Sequence, residues 1–288
     1  MSAAERYAAR VDAVLAQRTR LRGVAPPGDA FADLPPDHPL LKTDPLRQLD
    51  GTLELIASYI DPEDVIVDVG GGGGRNGLPL ALRCREVVNI DPSSNMLHAF
   101  TATARRAGIH NAIAVHGDWL ELEPVPQGTV ALVNHVTYLT RDIVPFVQKL
   151  EQAASRLVII TVGDPPPPSR NRAAFQVCYG EPSEPAPGHV ELMDVLRELG
   201  IEPEVRLLPM QPMTTDPAPT REAAIRLALG QLRGHQWAFW PLDPQVEIQA
   251  RNRVELHFGE LFEETPDGFR PTWTVPGREV LIAWRRES

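Results

Sequence analysis

The stretch Asp68-Val69-Gly70-Gly71-Gly72-Gly73-Gly74-Arg75 decides the fold of this 288-residue chain. It follows an apolar run, 65–67, and precedes a helical segment around 78–82. Consecutive glycines permit positive φ angles and let backbone amides approach a ligand closely. A glycine loop between a strand and a helix is typical of nucleotide-binding α/β proteins. We therefore interpret the loop as the cradle of a ligand; the alternative is a flexible turn that binds nothing.

Around the loop, short apolar runs alternate with helical stretches from residue 64 to about residue 162. The runs are 65–69, 87–91, 112–116, 130–134 and 157–162, each continuous in apolar residues as buried parallel strands are. Helices are predicted after Ser93 or Ser94, which can cap one, and over 142–154. This alternation predicts βαβ units and a doubly wound, three-layer α/β sandwich with a mostly parallel sheet.

The segments on either side complete the predicted organisation. Helical spacing over 3–22 and 46–60, interrupted by prolines, predicts an N-terminal helical arm and cap within 1–62. The main domain is then 63–288. Prolines crowd its segment 165–188, where we expect an insertion or lid without regular helix or central strand. The remaining predictions are a helix at 189–199, a strand at 204–209, helices at 221–233 and 245–262, and a last strand at 279–284.

Composition limits the classes of partner. The formal net charge is −10, which disfavours attraction to a phosphate backbone and hence a nucleic-acid partner. The two cysteines, Cys84 and Cys178, have no metal-ligand spacing, so no metal site is predicted and a reducing cytoplasm fits best. No apolar run has the length of a membrane span, and no signal peptide is apparent, so we expect no membrane partner.

The residues that follow the strands distinguish between two cofactor classes. Gly72-x-Gly74-x-x-Gly77 satisfies a dinucleotide fingerprint, so a nicotinamide or flavin cofactor stays open on the glycines alone. Asp68 instead offers a carboxylate that suits a cationic amino group and not a pyrophosphate. Asp91, at the end of the second strand, can accept ribose hydroxyls in either class. Asp118 and Trp119 follow the third strand and offer an acceptor for an exocyclic amine and a ring for a purine.

In this order, the glycine loop, the two strand-end acids and the fourth strand end resemble class I S-adenosylmethionine-dependent methyltransferases over residues 64–162. The resemblance implies a seven-stranded sheet, with S-adenosylmethionine as methyl donor and S-adenosylhomocysteine as product. It implies that Gly70, Gly72 and Gly74 cradle the methionine part, Asp91 holds the ribose, Asp118 meets the adenine amine, and Met96 and Trp119 flank the adenine. Asp68 and Asn134 complete the expected cofactor-binding set.

The fourth strand ends in Asn134-His135-Val136-Thr137-Tyr138, which we expect near the donor methyl group. It lacks the Asn-Pro-Pro-Tyr tetrad of enzymes that methylate nucleic-acid bases, and this favours a small-molecule acceptor. His135 is a candidate general base, oriented by Tyr138, if the acceptor must lose a proton; the alternative is a residue that only shapes the cavity. A non-catalytic binding or regulatory protein with the same fold is the second hypothesis.

Overall fold

The computed structural model describes residues 1–23, 28–29, 31–34, 38, 41–211, 216–233 and 242–286. A seven-stranded sheet in the order β3-β2-β1-β4-β5-β9-β6 forms its centre. The strands of this sheet are β1 (Val65–Val69), β2 (Glu86–Asp91), β3 (Ala112–His116), β4 (Gly128–Asn134), β5 (Ala154–Asp164), β6 (Glu204–Leu207) and β9 (Arg278–Arg285). Only β9 runs antiparallel to its neighbours, β5 and β6. The predicted mostly parallel, seven-stranded sheet is thus confirmed.

Helices flank this sheet and extend beyond it. They are α1 (Ala3–Arg22), α2 (Gly51–Ala57), α3 (Gly77–Ala81), α4 (Ser94–Arg106), α5 (Ile143–Ala153), α6 (Arg172–Tyr179), α7 (His189–Glu198), α8 (Arg221–Arg233), α9 (Pro244–Leu256) and α10 (Phe258–Leu261). A two-stranded hairpin, β7 (Phe262–Thr265) and β8 (Gly268–Pro271), follows them. Among the described residues, no helix combines the length and apolarity that a membrane span requires.

Side chains of the central strands alternate between two hydrophobic layers. On one face, Val67 and Val133 belong to a cluster that includes residues of α1, α5 and α7. On the other face, Ile66 and Leu132 pack with residues of α2, α3 and α4. Both faces of the sheet are covered, which explains why the central strands are mainly apolar, and the molecule has three layers. The predicted three-layer α/β sandwich is therefore also confirmed.

The third strand departs from the prediction of a buried strand. Ile113 of β3 is 45% exposed, and most of this strand is exposed or half-buried. The reason is its position, because β3 is an edge strand that pairs only with β2 among the described strands. Apolar continuity in the sequence therefore does not distinguish an edge strand from a central one.

Two helical predictions were wrong in extent. The helix expected over 46–60 begins at Gly51, because the Asp50 carboxylate caps it by accepting the Leu53 N–H at 2.9 Å. Residues 165–188 were expected to lack regular helix, but α6 lies within them. Its segment, 172–179, contains no proline, which explains why a helix forms there.

A third hydrophobic cluster lies outside the sheet layers. It joins α6, α8, α9, α10 and the hairpin through apolar residues including Phe175, Ile225, Val254, Phe258 and Trp273. The hairpin, at 262–271, was missed from sequence. The single helix expected over 245–262 is divided into α9 and α10.

The division of the chain at residues 62 and 63, with an insertion at 165–188, stays a prediction.

Asp64 links three segments at the amino end of β1. Its side chain is nearly buried and accepts hydrogen bonds from the Thr129 hydroxyl at 2.6 Å, the Asp61 N–H at 2.7 Å and the Arg156 guanidinium. Burial alone would raise the pKa of this carboxyl, but the hydrogen bonds from Thr129, Asp61 and Arg156 outweigh it and lower the pKa. The ionised form is therefore favoured in the folded protein.

We expect Asp64→Ala to lower the free energy of unfolding by about 3 kcal/mol, because it removes the carboxylate that compensates Arg156. Urea unfolding at pH 7 measures this change. Asp61→Ala is the matched control, because its exposed side chain lies 3.8 Å from Arg156 and should change stability by less than about 0.5 kcal/mol. A carboxyl whose pKa is lowered by folding contributes its full stabilisation above the unfolded-state pKa of about 4 and loses it as pH falls through the lower folded-state pKa, so the difference between the two variants should shrink as pH falls below about 4. Equal losses at neutral pH would contradict this assignment.

Candidate functional site

The glycine loop turns over the carboxyl end of β1. Gly70, Gly72 and Gly74 have φ angles of 70°, 54° and 84°, which L side chains rarely adopt. The end of β2 holds the loop: the Gly72 N–H donates to Asp91 Oδ2 at 2.9 Å, and Asn89 Nδ2 donates to the Gly72 carbonyl at 2.8 Å. The loop conformation therefore depends on side chains of the neighbouring strand as well as on its glycines.

Two further glycines are required by what lies beneath the loop. A Cβ atom at Gly71 would lie 2.4 Å from Asp68 Oδ2, and one at Gly77 would lie 2.6 Å from the same oxygen. Sequence reasoning counted the glycines at alternate positions as a ligand cradle and missed this role. Gly71 and Gly77 make room for a buried carboxylate.

Asp68 is fully buried. Within the described part of the chain, neither of its carboxylate oxygens has a hydrogen-bond partner, and neither does Asn89 Oδ1 nearby. Burial and, second, the charge of Asp91 raise the pKa of Asp68 to about 7. Because an ionised carboxylate without a partner is costly to bury, this group is suited to a cationic ligand group that would compensate it.

Asp91 combines a structural role with a possible ligand contact. It is 6% exposed, and its two oxygens accept the N–H groups of Ser93 and Gly72, both at 2.9 Å. Burial raises the pKa of this carboxyl despite these hydrogen bonds. Each carboxylate oxygen has a second acceptor site, so Asp91 can hold the loop and still accept from a ligand hydroxyl.

Two cavities meet at Gly70. The first, which we call the loop cavity, has a volume of about 410 Å³ and lies between the glycine loop and the segment 42–47. The second, the β3 cavity, has a volume of about 270 Å³ and lies beside the end of β3. Asp68, Gly70, Gly72, Met96, Asn134 and His135 line the loop cavity, whereas Gly70, Asp118 and Trp119 line the β3 cavity. Most of the predicted cofactor residues thus surround two adjoining cavities.

Four predicted residues lie apart from the arrangement expected for them. Met96 and Trp119 line different cavities, so the structure does not bring them together as a pair. The Trp119 ring is nearly buried against Phe146, and its Nε1–H donates to the Phe146 carbonyl at 3.3 Å. Gly74 and Asp91 are not among the residues that line either cavity. A Cβ at Gly74 would lie 2.5 Å from the Phe100 ring.

The end of β4 closes the loop cavity on the side of β5. The Thr161 hydroxyl donates to Asn134 Oδ1 at 2.7 Å, while Asn134 Nδ2 is buried without a hydrogen-bond partner among the described residues. His135 follows with a φ of 57°, an uncommon conformation for a residue with a side chain. Val136 packs on the loop so closely that a Cβ at Gly70 would lie 2.5 Å from its Cγ2. The ends of β1 and β4 therefore meet without space for a side chain at Gly70.

The imidazole of His135 has a protein neighbour at each ring nitrogen. Nδ1 lies 2.7 Å from the hydroxyl of the buried Tyr138, and Nε2 lies 3.0 Å from Glu279 Oε2. The Gly163 N–H donates to the same Tyr138 oxygen at 2.6 Å, which leaves the tyrosine proton to point towards Nδ1. A tyrosine proton directed at Nδ1 favours the tautomer of His135 with its own proton on Nε2, while Glu279 Oε2 accepts no hydrogen bond within the described residues.

The structure thus brings His135 and Tyr138 together, and it adds Glu279 from β9. Arg170 Nη2 lies 3.7 Å from the other oxygen of Glu279. Sequence reasoning did not connect Glu279 or Arg170 with His135, because they are distant from it in the chain and carry no local motif. The general-base role of His135 stays a prediction. Since both ring nitrogens contact protein groups, this role requires one nitrogen to leave its protein neighbour and contact the acceptor instead.

We expect Gly71→Ala to disrupt the loop, because the new methyl group would overlap both Asp68 Oδ2 and Asn89 Oδ1, at 2.4 and 2.5 Å. The expected loss in the free energy of unfolding is about 2 kcal/mol or more. Gly51→Ala is the control, since a Cβ there meets nothing within 4 Å and alanine favours the helix. Thermal unfolding of both variants measures the difference, and a Gly71→Ala protein as stable as the parent would contradict the described packing.

Comparisons with known proteins agree with this geometry. Residues 66–156 match the family described as "Methyltransferase domain". An uncharacterized protein of Haemophilus influenzae is 29% identical over 108 residues, which cover 37% of this chain and 40% of that protein. A probable cobalt-precorrin-6B C(15)-methyltransferase (decarboxylating) of Methanococcus maripaludis is 32% identical over 63 residues, 22% of this chain and 35% of that protein.

A solved structure extends the likeness to most of the fold. The YcgJ protein from Bacillus subtilis superposes with a TM-score of 0.53 and 10% identity, covering 82% of this chain and 99% of that one. At this identity, the likeness concerns the fold alone. The matched segments span 40% and 35% of the two curated relatives, so this chain covers less than half the length of each.

Proposed function

We propose that this protein, whose residues 66–156 match the family described as "Methyltransferase domain", transfers a methyl group from S-adenosylmethionine to a small-molecule acceptor. The observation that carries the proposal is the pair of cavities that meet at Gly70, one bordered by the buried carboxylate of Asp68 and the other by Asp118. A ligand with a cationic amino group at one end and a purine at the other suits this pair.

The residues present fit such a cofactor. Asp68 lacks a partner among the described residues and suits the ammonium group, while Asp91 has acceptor sites left for ribose hydroxyls. Asp118 borders the cavity that would receive the adenine. Gly70 and Gly72 let the backbone approach the amino-acid part closely, and Met96 and Asn134 complete the wall of the loop cavity.

When bound, S-adenosylmethionine supplies a methyl group on a sulfonium, which is an electrophile that needs no further activation. The protein would then act mainly by positioning, holding the acceptor in line with the methyl group. His135 lies on the wall of the loop cavity, where it could accept a proton from a hydroxyl or thiol acceptor. Tyr138 and Glu279 would hold the imidazole in one tautomer and orientation.

The formal net charge of −10 supports a small molecule over a nucleic acid as the acceptor. A second candidate, a binding or regulatory protein that keeps the cofactor site, is favoured by one observation: both ring nitrogens of His135 contact protein groups. The two candidates differ in whether the bound methyl group is ever transferred.

We expect S-adenosylmethionine and S-adenosylhomocysteine to bind with Kd values in the micromolar range or below, measured by isothermal titration calorimetry. Asp91→Ala should weaken binding at least about tenfold, because it removes both the ribose acceptor and the partner of the Gly72 N–H. Asp61→Ala, an exposed residue at the opposite edge of the sheet, is the control. Folded protein that binds neither compound would refute the proposal. Binding without methyl transfer to hydroxyl, amine or thiol acceptors would favour the second candidate.

Binding should also release protons near neutral pH. Asp68 has a pKa of about 7 without a ligand, so it is partly protonated at pH 6.5, and a cationic amino group beside it favours the ionised form. Titrating S-adenosylhomocysteine at pH 6.5 in two buffers with different ionisation enthalpies should therefore show release of a fraction of a proton. Asp68→Asn should abolish this release and weaken binding. Buffer-independent heats in the parent protein would show that Asp68 does not meet the amino group.

A further inference from the structure

The loop cavity has a wall that the methyltransferase resemblance does not explain. Opposite the glycine loop, the cavity is lined by Lys42, Thr43, Asp44 and Arg47. These residues precede α2 and lie outside the segment 66–156 that matches the methyltransferase family. Residues from the N-terminal part of the chain thus line the cavity that would hold the amino-acid part of the cofactor.

Arg47 has a buried donor that the protein does not use. Its Nη1 donates to the Asp44 carbonyl at 3.3 Å, whereas Nη2 is buried and has no hydrogen-bond partner among the described residues. Buried polar groups are almost always hydrogen-bonded, and one that borders a cavity indicates a ligand acceptor. A guanidinium with an unused N–H donor is suited to a carboxylate, because guanidinium and carboxylate groups can form two parallel hydrogen bonds.

The same cavity contains an unsatisfied group of the opposite charge. Asp68 is fully buried, and its two oxygens lack donors within the described residues. No ion pair joins Asp68 to Arg47 in this part of the chain, although both line the cavity. The cavity therefore offers a carboxylate without a donor and a guanidinium whose buried Nη2 is without an acceptor among the described residues, which is the pattern that a zwitterionic α-amino-acid group would satisfy.

Other polar groups of the cavity fit this role less well. Lys42 and Arg75 also line it, but both are exposed and can be solvated without a ligand. Asn134 Nδ2 is a second buried donor without a described partner, but it is neutral and so cannot compensate a carboxylate charge. Among the described lining residues, Arg47 alone combines a positive charge with a buried unused donor.

We propose that Arg47 binds the α-carboxylate of S-adenosylmethionine while Asp68 binds its α-ammonium, so that a residue outside the matched domain completes the cofactor site. This inference rests on the proposed function. Its consequence is selectivity: the site should distinguish S-adenosylhomocysteine from its decarboxylated analogue, which keeps the amine, the thioether and the nucleoside. The carboxylate is the one group by which these two ligands differ.

The test is a comparison of both ligands by isothermal titration calorimetry with the parent protein and Arg47→Met. The parent should bind S-adenosylhomocysteine about 10- to 100-fold more tightly than the decarboxylated analogue, as expected for charge-assisted hydrogen bonds. Arg47→Met should lose that preference: its affinity for S-adenosylhomocysteine falls by the same factor, and its affinity for the analogue stays within about twofold. Retained binding of the analogue also demonstrates that the variant is folded.

Two further variants complete the experiment. Arg75→Met removes an exposed cation that lines the same cavity. It should change the affinity for S-adenosylhomocysteine and for the analogue by no more than about threefold. Arg47→Lys keeps the charge but not the two-pronged geometry, and should retain part of the preference; it decides the question if Arg47→Met does not fold. An unchanged preference in the Arg47 variants would overturn the inference and leave the proposed function intact. A parent protein that binds neither ligand would overturn both.

Discussion

The burial of one carboxylate, that of Asp68, constrains the candidate site at the carboxyl edge of the sheet. Glycine is required at positions 71 and 77 because any side chain there would overlap its oxygens. The absence of a donor among the described residues, together with burial, raises its pKa and makes it responsive to a nearby cation. The glycine run is thus explained as much by the group it covers as by the ligand it is proposed to hold.

The rest of the site is organised by contacts that the loop makes with neighbouring strands. Asn89 and Asp91, at the end of β2, hold the loop through hydrogen bonds to Gly72. On the other side, the end of β4 packs against Gly70 and presents His135 to the loop cavity. Because adjacent parallel strands end at the same edge of the sheet, residues that are far apart in sequence lie side by side in one site.

Sequence patterns predicted those parts of the fold that depend on local or periodic information. The strand at 65–69 and the helix at 3–22 were predicted correctly, because burial on both faces and helical spacing leave clear patterns. The exposure of β3 was not predictable, since the same apolar residues suit a central strand. The hairpin formed by β7 and β8 was likewise missed, because tertiary packing and not local spacing decides it.

The same distinction applies to the candidate site. The residues next to strand ends, such as Asp68 and Asp91, could be selected because a motif places them there. Arg47 and Glu279 could not, because their relation to the cavity and to His135 arises only when distant segments pack together. The sequence also could not reveal that Met96 and Trp119 border different cavities, since side-chain direction is set by packing with α5 and the N-terminal segment.

The close approach of Val136 to Gly70 restricts how the two positions can change during evolution. A Cβ at residue 70 would lie only 2.5 Å from Val136 Cγ2, and a smaller residue at 136 would remove this clash. The φ of 70° at residue 70 would still disfavour any side chain there. Position 136 can therefore shrink while glycine is kept, whereas position 70 cannot acquire a side chain through a compensating change at 136 alone. Related sequences should accordingly vary at the end of β4 and keep glycine at its contact on β1.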